Sequence, residues 1–244
     1  MKVGIIGYGF VGKALENGIK DSVKIFNVDP KLNTSIKDLR LFEPDLIFIC
    51  VPTPMLEDSS LDASIVHSVI DEILEYEIKS LVILKSTILP DHLEQIKQKV
   101  GRFIYNPEFL REKYANDDFL NSSLIVFGGE KGNIKEIKDF YEQKTNCICS
   151  SYIETDIVTA SLIKYTINSY LATKVSFFNE LKNIYDKADA KDSWENFITY
   201  IQKDFRLGNS HMSVPGHDNK EGFGGACLPK DSAALLNFCK KNKL

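Results

Sequence analysis

Apolar and polar positions follow two alternating regimes along the first half of the chain. Dense runs of β-branched and large aliphatic residues, such as KVGIIG, SVKIFNVD, DLIFICV (Asp45–Val51) and SLVILKST, are short. Between them lie stretches such as DASIVHSVIDEILEY and PDHLEQIKQKV, whose apolar residues recur every three or four positions. Short continuous runs read as strands buried on both faces, and the longer period reads as helices with one buried face. RFIYN, SLIVFGG and NCICS are further strand candidates. Strands alternating with helices predict an α/β fold with a parallel, doubly wound sheet. From about Glu154 to Ala188 the pattern changes: glycine and proline disappear, and Ile163, Ile167, Leu171, Val175, Phe178 and Leu181 recur at helical spacing. This predicts a long amphipathic helix that one small domain would not cover, so it joins two domains or forms a dimer seam. The predicted organisation is a nucleotide-binding domain over 1–152 and, over 153–244, the long helix with a central dimerisation region.

The junction between the first strand and first helix, GYGFVG, places Gly7, Gly9 and Gly12 in the spacing G-x-G-x-x-G, with Phe10 and Val11 between the last two. The first glycine serves a tight turn, the second lets backbone approach a pyrophosphate, and the third lets helix pack on strand. The helix N-terminus adds free N–H groups and a favourable dipole. The next strand ends at Asp29, near the spacing of about 20 residues at which a carboxylate accepts ribose hydroxyls. An acidic group there favours NAD and repels the extra phosphate of NADP. Ligands of such sheets bind beyond the carboxyl ends of the strands. That singles out Thr53 in VPTP, Ser86 and Thr87 in KST, and Glu108 and Glu112 in NPEFLRE.

In the second half, Lys164 and Asn168 stand four apart and share one face of the long helix. Taken alone, such a lysine reads as a solvated surface charge. The segment DFRLGNSHMSVPGHDNKEGFGGACLPKD is irregular, and DSAALLNFCKK then begins a helix. Cys227 lies just before that helix, where an N-terminal field favours thiolate. Cys50, in an apolar strand, reads as an inert core thiol, and Cys147 and Cys149 as strand residues. With no histidine near this C-x-C, no metal site is expected. Tyr165 and Tyr170 read as helix packing.

Composition narrows the partners. The 244 residues are 43% hydrophobic, with net charge −4 and 30 dispersed basic residues, so a nucleic-acid-binding role is not expected. The cluster Lys240, Lys241 and Lys243 reads as a solvated helix end. The N-terminal apolar run is broken by glycine, and no run approaches the roughly 18 residues of a membrane span. Five cysteines without framework spacing suggest reduced thiols and a cytoplasmic protein.

GIIGYGFVG, FICVPTP, KST, NPEFLRE, LIKYTINSYLATKVSFFNE and GFGGACLPKD together resemble, in order, the motifs of the UDP-glucose 6-dehydrogenase family of nucleotide-sugar dehydrogenases. The resemblance implies NAD-dependent oxidation of a sugar C6 alcohol to a carboxylate through a cysteine-bound intermediate, by a homodimer formed across the long helix. It implies that Cys227 is the nucleophile, that Lys164 and Asn168 support substrate and oxyanion, and that Asp231 serves proton transfer. Glu108 is implied to serve thioester hydrolysis, Thr87 to lie near nicotinamide and water, and Glu112 near the cofactor. Arg206 is implied to reach a neighbouring subunit's substrate, and Phe109, Leu110, Arg111 and Gly224 to line the substrate. Lys230 receives no catalytic role, and a structural or phosphate-directed one stays open.

UDP-glucose is the favoured substrate on GFGG and SHMSVPG, with a GDP-mannose 6-dehydrogenase as the alternative. A non-catalytic NAD-binding remnant or partner subunit is the alternative of another class. Chains of this family continue into a second Rossmann-like domain, whereas this sequence stops at Leu244. Nucleotide binding is therefore expected to rest on NPEFLRE and SHMSVPGHDNKEGFGG. The segment Pro30 to Pro44 is expected to reshape the adenine side of the cofactor pocket.

Overall fold

Strand β1 (Lys2–Ile6) leads through the glycine turn into helix α1 (Phe10–Gly18), and β2 (Lys24–Val28) follows. Helix α2 (Ile36–Phe42) begins on a capping box: Asp38 N donates to Ser35 Oγ (3.3 Å), and Ser35 N donates to Asp38 Oδ2 (2.9 Å). Then come β3 (Leu46–Ile49), α3 (Ser64–Glu75), β4 (Leu81–Leu84), α4 (Pro90–Lys99), β5 (Phe103–Tyr105), α5 (Ala115–Leu120), β6 (Ile125–Gly129), α6 (Lys131–Lys144) and β7 (Tyr152–Thr155). The long helix α7 (Ile157–Lys187) is 31 residues, and α8 (Trp194–Ile201) and α9 (Leu228–Lys241) complete the chain. The computed structural model describes residues 1–216 and 218–243. His217, within the segment expected to bind nucleotide, and Leu244, the last residue of the second predicted domain, lie outside the described residues.

The α/β fold follows from the pattern of the runs. Every residue of β3 and β4 is fully buried, as continuous aliphatic strands covered on both faces require. Their order in the seven-stranded sheet is β2-β1-β3-β4-β5-β6-β7. The order reverses at β1, which opens a crevice beyond the carboxyl ends of β1 and β3, where doubly wound sheets bind ligands.

Two expectations need correction. The sheet is not wholly parallel, because β6 runs antiparallel to β5, with Tyr105 opposite Gly128. The link between them carries one short helix, α5, which packs on α1. The chain therefore re-enters the sheet from the carboxyl edge rather than crossing a face. NCICS is not a strand. Asn146 N, Ile148 N and Ser150 N donate to the carbonyls of Gly18, Leu120 and Ser122 at the ends of α1 and α5 (2.7, 2.6 and 3.2 Å). The edge strand is instead Tyr152–Thr155, paired with β6. Helix α7 consequently starts after it, with Asp156 Oδ1 accepting from Val158 N and Thr159 N (both 2.9 Å).

The chain divides into two compact units, Met1–Lys164 and Tyr165–Leu244. The first has a core of sheet and helix residues that includes Val3, Leu15, Phe48, Ile83 and Phe127. In the second, Phe178, Trp194, Met212 and Val214 form a smaller apolar cluster, packed with Tyr185 and Phe197. No helix among the described residues is long and apolar enough to cross a membrane.

Candidate active site

Each glycine of the first turn is needed for a different reason. Gly7 has φ +92°, and a Cβ there would lie 2.7 Å from the Cys50 carbonyl oxygen. A Cβ at Gly12 would lie 2.3 Å from the Gly7 carbonyl oxygen. A Cβ at Gly9 would meet no atom of the described residues within 4 Å. This open, exposed backbone leads directly into Phe10, Val11 and Gly12, whose amides start α1. Space above Gly9, and donors at a helix start, fit a pyrophosphate.

Asp29 ties this loop to the end of β2. Its Oδ2 accepts from Tyr8 N (2.8 Å) and its Oδ1 from Lys31 N (2.9 Å). These bonds, the one from Tyr8 foremost, hold its carboxyl below the usual range. The ionised carboxylate keeps lone pairs for a ribose diol, so the residues present fit NAD. Sequence reasoning missed the support beneath. The Tyr8 hydroxyl donates to Glu16, whose other oxygen accepts from Asn27 Nδ2 (2.9 Å). The Glu16 bond pushes the Tyr8 phenol up to about 12.

The loops after β3, β4 and β5 are stitched together. Thr53 Oγ1 donates to the Thr87 carbonyl (2.8 Å), and Ser86 Oγ donates to that of Val51 (2.6 Å). All three hydroxyl residues are buried. After β5, Glu108 is also buried, and Lys164 is only 3% exposed, which removes the reading of a solvated surface lysine. Lys164 Nζ donates to the Glu108 carbonyl (2.5 Å) and lies 3.3 Å from Glu108 Oε1. Leu110 N donates to Glu108 Oε2 (2.6 Å), and the ammonium stands 5.2 Å from the Phe109 ring centroid. Glu108, Phe109, Leu110 and Lys164 therefore form one group. Arg111 pairs with Asp118 through Nε (3.0 Å) and a terminal nitrogen (2.6 Å). Glu112 is exposed at the start of a short 3-10 turn.

In the second unit, Cys227 is half-buried at the N-cap position of α9. The helix starts at Leu228, earlier than the DSAALL run suggests, because Pro229 fits a first turn that needs no N–H from it. Asp231 N donates to the Cys227 carbonyl (2.9 Å), placing the carboxylate one turn past the thiol. Asp231 is 1% exposed; Asn168 Nδ2 donates to its Oδ2 (2.6 Å) and Lys230 Nζ to its Oδ1 (2.5 Å). Lys230, left without a catalytic role by the sequence, is thus the cation that pairs with Asp231; its adjacency was the available signal. Gly224 is exposed, in a loop where Gly222 N donates to Asn179 Oδ1 (2.9 Å). Arg206 is exposed and paired with Asp204, its Nε 2.9 Å from Oδ1. Tyr165 is buried, but Tyr170 is 62% exposed and so is not helix packing.

The three thiols of the first unit, Cys50, Cys147 and Cys149, are all pushed up by burial. Burial pushes Cys50 up to about 12 and Cys147 to about 11. At pH 8 both thiols therefore stay protonated. Iodoacetamide at pH 8 is therefore expected to modify Cys227 while leaving Cys50 and Cys147 unlabelled in peptide mass maps. Labelling of Cys50 as fast as Cys227 would contradict this assignment.

The order reversal at β1, the glycine turn and the carboxylate closing β2 define a dinucleotide-binding protein of Rossmann type. The chain belongs to the UDP-glucose/GDP-mannose dehydrogenase family, matching its NAD binding domain over residues 13–145 and its central domain over 158–244. It is 37% identical over 219 residues to a UDP-glucose 6-dehydrogenase of Rickettsia bellii, covering 86% of this chain and 48% of that protein. A UDP-glucose dehydrogenase from Pyrobaculum islandicum has the same fold, with TM-score 0.83 at 24% identity, over 100% of this chain and 65% of that one. A GDP-mannose dehydrogenase from Pseudomonas aeruginosa, solved as a ternary complex, superposes with TM-score 0.72 at 26% identity over 100% and 65% of the two chains. The chain spans about half the length of the curated relatives it matches.

Proposed function

We propose that this chain carries the dinucleotide-binding and thiol parts of a UDP-glucose 6-dehydrogenase, oxidising the C6 alcohol to a carboxylate. The observation that carries the reading is the buried Asn168–Asp231 pair, one helical turn from Cys227 at the cap of α9. A carboxylate and an amide held out of water beside a helix-end thiol have no packing purpose that apolar residues would not serve at lower cost. The glycine turn, with Phe10, Val11 and Asp29, would hold NAD, and Thr53, Thr87 and Glu112 would border it. When bound, NAD supplies the hydride acceptor for both oxidations.

The chain's own residues then have these tasks. The proton of the C6 hydroxyl passes to a base as the alcohol becomes an aldehyde, with Asp231 serving proton transfer through water. The Cys227 thiolate adds to the aldehyde carbon, forming a C–S bond and placing charge on oxygen. Lys164 and Asn168 stabilise that oxygen. Loss of the remaining C–H as hydride leaves a thioester. Glu108 takes a proton from water, the water oxygen adds to the thioester carbon, and the C–S bond breaks to return the thiolate. Phe109, Leu110, Arg111, Arg206 and Gly224 line the sugar nucleotide in this reading.

The experiment supplies NAD with UDP-glucose or GDP-mannose and follows NADH. Turnover with UDP-glucose alone is expected. Turnover with GDP-mannose alone would favour the second reading, which the likeness to a GDP-mannose dehydrogenase supports. NAD binding with neither sugar oxidised would favour a non-catalytic subunit.

A homodimer through α7 and a cytoplasmic setting with reduced thiols belong to the same proposal. Tyr170, Phe177 and Ile184 are 62%, 60% and 63% exposed and recur every seven residues along that helix, a stripe suited to a second copy. Phe177→Asp is expected to shift sedimentation from dimer to monomer, and a wild-type monomer would contradict the dimer.

A further inference from the structure

Lys85 directly follows β4, is 4% exposed, and has no part in the reaction described above. Its Nζ donates to Asn106 Oδ1 (3.0 Å), to the Asn106 carbonyl (3.4 Å) and to the Tyr141 hydroxyl (3.3 Å). The Tyr141 hydroxyl donates in turn to Asn106 Oδ1 (2.8 Å). Asn106 is anchored further by its side-chain amide on the Val126 carbonyl (2.9 Å) and its backbone N on that of Leu84 (2.8 Å). All three ammonium donors thus have acceptors, and no carboxylate is among them. Burial pushes the amine down, and the titratable groups it faces are Glu108, Lys164 and the Cys50 and Cys147 thiols. A methionine of similar volume would pack here without the cost of burying an ammonium. The lysine is therefore better explained by what it holds than by the space it fills.

What it holds is the start of the loop that carries Glu108. Two residues after Asn106, Lys164 grips the Glu108 carbonyl and carboxylate. Two buried lysines thus fix the loop at neighbouring points. A cavity of about 20 Å³, lined in part by Lys85, Glu108, Ser122 and Tyr141, lies alongside and has room for one water. We infer that Lys85 is a positioning residue: through Asn106 it fixes the loop Asn106–Leu110 and with it the Glu108 carboxylate that serves as base when water opens the thioester. The inference rests on the reading of Glu108 as the base of that step.

The test uses the 244-residue chain and Lys85→Met, with Glu108→Gln as reference. Hydrogen exchange over residues 106–110 is expected to speed by about tenfold in Lys85→Met, with exchange in β1 and β3 and NAD affinity unchanged. In turnover with NAD and UDP-glucose, kcat is expected to fall by about tenfold or more, while intact mass reveals a sugar adduct on Cys227. A purely structural role would lower the active fraction without accumulating adduct. Unchanged exchange, or a lower kcat without adduct, overturns the inference. If Glu108→Gln accumulates adduct and Lys85→Met does not, the Lys85 inference alone falls. If Glu108→Gln accumulates none, the reading of Glu108 falls and the inference with it. Should Lys85→Met fail to fold, Tyr141→Phe removes one partner of the same network and is expected to raise the adduct and loop exchange by about threefold; neither rising overturns the inference.

Discussion

Cys227→Ser is expected to lose steady turnover with UDP-glucose by roughly a thousandfold or more, about 4 kcal/mol of transition-state stabilisation. The thiolate adds to an aldehyde near neutral pH, whereas a serine hydroxyl has no comparable anionic form without a strong base beside it. The substitution is also conservative for the fold. Residue 227 is half-buried at the start of α9, and serine replaces only the sulfur by oxygen. The urea midpoint should therefore stay level, so a loss of activity cannot be assigned to unfolding. Turnover within tenfold of wild type in Cys227→Ser would exclude the covalent route.

The second large effect comes from the glycine turn. Gly12→Val would place Cβ 2.3 Å from the Gly7 carbonyl oxygen, a backbone atom that cannot swing aside. The first unit should lose about 3 kcal/mol, read as a lower urea midpoint, and NAD binding should go with it. Gly9→Ala separates the two consequences. Its methyl meets no described atom within 4 Å, so stability should change by no more than about 0.5 kcal/mol. Yet that methyl occupies the space through which a pyrophosphate would approach, so NAD affinity should fall by about tenfold or more. Fluorescence titration and urea unfolding of both variants check this. Gly9→Ala binding NAD as tightly as wild type would contradict the assignment of the turn.

The parts of this fold that were legible in the sequence are those set by local chemistry. KVGIIG followed by three spaced glycines and a strand ending at Asp29 fixes a strand, a turn, a helix and an acceptor within one short unit. The long helix was equally plain from its apolar period. Direction and partnership were not legible. That β6 turns antiparallel depends on where α5 packs, and NCICS is as β-prone as the true edge strand that follows it. Its amides are drawn instead to helix ends distant in sequence.

The candidate site divides in the same way. Cys227 and Asp231 declare themselves by their place at a helix start. The burial of Lys164 depends on Glu108, 56 residues away, and no periodicity encodes it. Nothing in the local pattern marks Lys85, and the motif gives Lys230 no catalytic role. Only the buried acceptors around Lys85, and the carboxylate that Lys230 meets, give these residues work. For Arg111 and Arg206 the structure adds neighbouring aspartates, Asp118 and Asp204, that the motifs did not foretell.

The central claim is a four-electron oxidation carried through one thiol, and stoichiometry tests it most directly. The 244-residue chain is given excess NAD and a limiting, known amount of UDP-glucose, and NADH is counted at completion. The account predicts two NADH for each sugar consumed, with the uronic acid as product and no free aldehyde. One NADH per sugar with an aldehyde released, or none while NAD still binds, would contradict it.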